Sequence, residues 1–115
     1  MVGFKRIHAV FYEAPSGKRP VREWLMTLSD EDRRIIGAEI ATVEFGWPIG
    51  MPTCRPLGEG LFEVRSDLPQ NRTARVLFSV MGNRMPLLHG FVKKTRRTPD
   101  ADLALARKRL KEIET

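Results

Sequence analysis

Eight basic side chains crowd a single stretch of this 115-residue chain, and they are the residue types that meet and hold phosphates. Arg65, Arg72, Arg75, Arg84, Lys93, Lys94, Arg96 and Arg97 lie between Gly60 and Arg97, with only Glu63 and Asp67 against them. The flanking segments are each neutral overall, so the formal net charge of +6 belongs entirely to this stretch. Scattered Lys and Glu would serve solubility equally well. Cations gathered this way suit a polyanionic partner, as does a sequence pI near 10.1.

Strand parity says where those cations point. In the segment from Leu61 to Ser66, Leu61, Glu63 and Arg65 share one face, and Phe62 and Val64 take the other. From Thr73 to Met81, Arg75 lies with Thr73, Leu77 and Ser79, opposite the apolar Ala74, Val76, Phe78 and Val80. Paired as a hairpin, these strands present Arg65 and Arg75 side by side. Lys93, Lys94, Arg96 and Arg97 crowd the end of the next strand. Arg65 also has carboxylates within reach, and a run such as Arg96-Arg97 is often a solvated loop charge. His89 falls between Leu87 and Phe91 in parity, where a packed, hydrogen-bonded histidine and a catalytic one are equally expected. His8 reads as structural or exposed, and Trp24 and Trp47 as core or interface anchors.

The elements that position these groups follow from pattern. Alternation from Arg6 to Tyr12 predicts a strand. Pro20 suits a first helical position, with Val21, Trp24, Leu25 and Leu28 at helical spacing. Ser29 then caps a second helix, whose first turn holds Asp30, Glu31 and Asp32 and whose buried stripe is Ile36, Ile40 and Val43. Gly46 and Pro48 end it. The Gly- and Pro-rich segment from Gly46 to Gly60 reads as a loop. Strands follow at Leu61–Ser66, Thr73–Met81 and Pro86–Lys93. Thr98-Pro99-Asp100 opens a last helix with Leu103, Ala106, Leu110 and Ile113 on its apolar stripe. The order is β-α-α-β-β-β-α: a single α+β domain over residues 1–115, with a small curved antiparallel sheet and helices packed on one face.

Composition excludes several classes. Cys54 is the only cysteine, which rules out an internal disulfide, and Cys and His are too few for a structural zinc site. No metal ligand set and no cofactor motif stands out. The N-terminus has no signal-peptide pattern and no apolar run has the length of a membrane span, so the expected location is the cytoplasm, with no membrane partner.

The run from Leu57 to Arg65 (LGEGLFEVR), then Ala74-Arg75-Val76-Leu77-Phe78, then Leu87 to Thr95 (LLHGFVKKT), then Thr98-Pro99, resembles the phage-derived, HigB-like branch of the RelE/ParE toxin superfamily. The resemblance spans roughly residues 5–113, and the His-Gly-Phe-Val-Lys-Lys-Thr block is its most specific part. It implies a toxin of a type II toxin–antitoxin module: a metal-independent, ribosome-dependent endoribonuclease that cuts mRNA and inhibits translation. It also implies a helix-turn-helix antitoxin as partner, with DNA contacted only through the toxin–antitoxin complex. By matching position, Arg65 and Arg75 hold the scissile phosphate and Lys93 or Lys94 stands near the leaving oxygen. The other cations of the basic stretch, Arg72, Arg84, Arg96 and Arg97, are the expected RNA-binding residues, with a purely structural role equally expected for Arg72 and Arg84. One relative in that superfamily has a tyrosine near the C-terminus in the role of base, whereas the one tyrosine here is Tyr12. The base is left open between His89 and groups on the ribosome. Two other readings stand beside the enzyme: a ParE-like inhibitor of DNA gyrase, and a degenerate toxin that binds its antitoxin and regulates the operon without catalysis.

Overall fold

Two helix starts set the first half of the chain. A computed structural model describes residues 3–93 and 98–114, so Lys94, Arg96 and Arg97 lie outside the described residues. After strand β1 (His8–Phe11), Pro20 occupies the first turn of α1 (Pro20–Met26). Ser29 caps α2 (Asp30–Gly46), its side chain accepting from the Asp32 backbone N–H at 3.1 Å. The second half holds β2 (Cys54–Gly58), β3 (Leu61–Leu68), β4 (Arg72–Phe78), β5 (Arg84–Lys93) and α3 (Asp100–Glu114). The fold class is α+β, as the pattern predicts.

The sheet order is β1-β5-β4-β3-β2. The meander β2-β3-β4-β5 is antiparallel, but β1 pairs with β5 in parallel, so the sheet is mixed rather than wholly antiparallel. The segment expected to be a loop contains β2, an edge strand that accommodates Pro56 because one side of an edge needs no ladder donor. Gly58 and Gly60 turn β2 into β3 with φ of 93° and 79°, a region open to glycine and costly for residues with a Cβ. Glu44 of α2 partly covers the free edge of β1, its carboxylate accepting from the Ala9 N–H at 2.8 Å.

Both faces of the sheet are covered, which corrects the expectation of helices on one face. Val64, Leu68, Ala74, Val76, Phe78 and Leu87 pack with Ile36, Ile40 and Val43 of α2 and Val21 of α1. Leu61, Leu77, Leu88 and Phe91 pack on the opposite side with Ala106 and Leu110 of α3. Trp47 anchors the first core, edge-on to Phe62 and Phe78. Trp24 lies so close to Gly90 that a Cβ there would meet its ring at 2.4 Å. The glycine in the middle of β5 is what lets α1 approach. Side-chain contacts fix α3 at several points, among them Arg107 donating to the Leu57 carbonyl at 3.0 Å, Arg109 to the Leu88 carbonyl at 2.8 Å, and the Tyr12 hydroxyl to Glu112.

Candidate functional site: a basic sheet face at the start of α3

Antiparallel register places side chains from three strands in rows on the face that α3 partly covers. The innermost row is Glu63, Leu77 and His89, the next is Arg65, Arg75 and Phe91, and the outermost is Asp67, Thr73 and Lys93. Neighbours within a row are about 5 Å apart and rows about 7 Å apart. By register four expected catalytic residues, Arg65, Arg75, His89 and Lys93, therefore fall on one face, with Arg65 at its margin beside a cleft shared with Ile35 and Glu39 of α2; the fifth, Lys94, lies outside the described residues.

Their exposure differs sharply. Arg65 is open to solvent and its Nε meets the exposed Asp67 at 3.2 Å, a pair of little energetic weight that a phosphate displaces readily. Lys93 is half-buried and has no ion pair among the described residues. Arg75 is 3% exposed. Its Nη1 donates to Glu63 at 3.0 Å, and the other oxygen of Glu63 takes the hydroxyl of Thr98 at 2.6 Å. Thr98, expected as a helix cap, thus ties the start of α3 to a buried ion pair between β3 and β4. The side-by-side register of Arg65 and Arg75 holds, but in this conformation Arg75 is turned to an internal partner. Glu63 lies diagonal to Arg75 and offsets the repulsion of two arginines set directly opposite each other.

His89 is the most constrained polar group on the face. Its ring stacks on Phe91 with centroids 5.5 Å apart and planes inclined by 28°. Nε2 lies 2.6 Å from Oδ1 of Asp102 in the first turn of α3, a residue that nothing in the sequence pattern singles out. The signal that places Asp102 is the crossing of α3 over the His89 side of the sheet, and that crossing was not legible from sequence.

Among the expected RNA-binding residues, Arg72 points to the opposite face and grips Asp32 of α2 with two nitrogens, at 2.8 and 3.1 Å. Those hydrogen bonds hold the Asp32 carboxyl below the usual carboxylate range, helped by the arginine's charge and Ser29 and opposed by burial. Arg84 is exposed at the far end of β5, near a cleft of about 330 Å³ lined by Val10, Phe11, Met81 and Pro86. Nine residue steps along β5 separate it from Lys93, roughly 30 Å of strand. Cys54 is buried, with its thiol pushed up to about 11 by burial and by the charge of Glu63. Among the described residues no cluster of three or more His, Cys, Asp or Glu side chains could hold a metal ion, and no helix is long and apolar enough to cross a membrane.

The mixed sheet, helices on both faces and a histidine-bearing basic face define a small α+β protein whose polar site lies on the sheet itself. Residues 23–111 match the family described as phage derived protein Gp49-like (DUF891), and the chain belongs to that family. The family is associated with toxin–antitoxin modules. The matched span includes every row of the candidate face and Asp102. No curated protein matches the chain.

Proposed function

We propose that this chain is the toxin of a type II toxin–antitoxin module and a metal-independent endoribonuclease that cuts mRNA on the ribosome. The observation that carries this reading is the shared face of His89, Arg65 and Lys93, with the histidine ring fixed by Asp102 and Phe91. Cutting RNA without a metal needs a base for the ribose 2′-hydroxyl, fixed cations for the phosphorane and an acid for the departing 5′-oxygen. His89 supplies the base, Arg65 the exposed cation, and Lys93 or Lys94 the proton for the leaving group. Arg75 adds positive field beneath the face, tempered by Glu63. The products are a 2′,3′-cyclic phosphate and a 5′-hydroxyl. A cytoplasmic location and a helix-turn-helix antitoxin that masks the basic face belong to the same proposal.

The internal pairing of Arg75 favours a second reading, a chain that binds its antitoxin and cuts nothing. Inducing expression in a growing bacterium and mapping message 5′ ends within minutes separates the two. New 5′-hydroxyl ends inside translated codons, much reduced in His89→Ala and Arg65→Ala, are the expected result. Growth arrest with intact messages would redirect attention to gyrase. Absence of arrest would leave the non-catalytic binder.

A further inference from the structure

Two contacts hold the His89 ring, and two more fix the backbone on either side of it. On one side of the residue, the Leu88 carbonyl takes Nη1 of Arg109 from α3. On the other, Gly90 is packed under Trp24 of α1. The ring lies on Phe91, and Nε2 meets Asp102 at 2.6 Å. The two side chains retain 17% and 21% of their exposure, so water reaches the pair without dissolving it. A carboxylate oxygen accepts and cannot donate, so the ring proton of neutral His89 sits on Nε2 and the lone pair on Nδ1. Nδ1 has no hydrogen-bond partner among the described residues.

We infer that Asp102 is a positioning residue that fixes His89 as the Nε2–H tautomer and leaves Nδ1 as the atom that accepts a proton from the attacking hydroxyl of an RNA substrate. The inference takes its substrate from the endoribonuclease reading; the tautomer stands on geometry alone. In the step, the 2′-oxygen–phosphorus bond forms while the phosphorus–5′-oxygen bond breaks. The 2′-hydroxyl proton goes to Nδ1, and the departing 5′-oxygen takes a proton from a lysine ammonium or water. Asp102 also spreads the charge of the imidazolium so formed. It comes from a helix tied at Leu57, Leu88 and Tyr12, so docking of α3 and competence of the base are one event.

The test reads the ring itself. The chain has two histidines, and His8, exposed in β1, provides the reference. Nitrogen–proton correlation spectra of the ¹⁵N-labelled protein should show His89 as Nε2–H. In Asp102→Asn the amide can turn its NH₂ toward Nε2, moving part of the population to Nδ1–H, while Asp102→Glu restores Nε2–H. With RNA cut on translating ribosomes, Asp102→Asn should lower kcat about a hundredfold and leave KM within about twofold. It should cost nothing further in a His89→Ala background, because it acts only through that ring. A wild-type Nδ1–H ring, or a full loss from Asp102→Asn in the absence of His89, overturns the inference. A chain that cuts no RNA but shows the expected tautomer switch upholds the positioning and removes the endoribonuclease reading instead.

Discussion

Water reaches Arg65 and barely touches Arg75, although the two stand directly opposite each other in the β3–β4 register. The difference decides what mutagenesis at each position reports. Arg65→Ala removes an exposed pair with Asp67 and should change unfolding free energy by less than about 1 kcal/mol, so any loss of toxicity is a loss of function. Arg75→Ala strands the buried Glu63 carboxylate and should cost about 3–5 kcal/mol, visible as a lower urea midpoint. Equal urea midpoints for the two variants would show that the Glu63–Arg75 pair is not the buried link described above. Sequence parity was enough to put both arginines on one face. It could not tell them apart, because Arg75 is held inside by Glu63, whose other oxygen takes Thr98 from the start of α3 across 35 residues of chain.

Helices α1 and α2 were legible because their signals are local: a proline at a first turn, a serine cap, and an apolar stripe. Strand β2 was not, since Pro56, Gly58 and Gly60 carry the composition of a loop and its pairing with β3 is a property of the edge. The parallel seating of β1 on β5 joins the two ends of the fold, and no short-range pattern encodes it. At this scale the Asp32–Arg72 clamp ties the first turn of α2 to β4. The folded Asp32 carboxyl lies below its ordinary value, so the native state binds fewer protons there than the unfolded chain. The clamp's contribution is therefore complete above about pH 4, the ordinary carboxylate range, and fades as pH falls through the depressed native value. Urea unfolding of wild type and Asp32→Asn should show wild type ahead at neutral pH and the gap narrowing in acid. A gap that keeps its size in acid would mean the carboxyl is not held by Arg72.

Over the whole molecule, the charge that looks like one block in sequence is divided among separate places. Arg72 is spent on α2, Arg75 lies in the interior, and Arg84 is at the opposite end of β5 from Lys93. The face at the start of α3 keeps Arg65 and Lys93 as its described outward cations, and on the proposed endoribonuclease reading phosphate contact there should dominate the salt dependence of RNA binding. Each phosphate neutralised on a single strand adds about 0.7 to the magnitude of the slope of log affinity against log salt. Titrating a short single-stranded oligoribonucleotide at several salt concentrations should then give a slope shallower by about 0.7 for Arg65→Ala and for Lys93→Ala. Arg84→Ala should leave it unchanged, because roughly 30 Å of strand separates that residue from the face. A slope lowered equally by all three substitutions would mean that the RNA follows the length of β5, and the binding surface would have to be redrawn to include the cleft beside Phe11 and Met81.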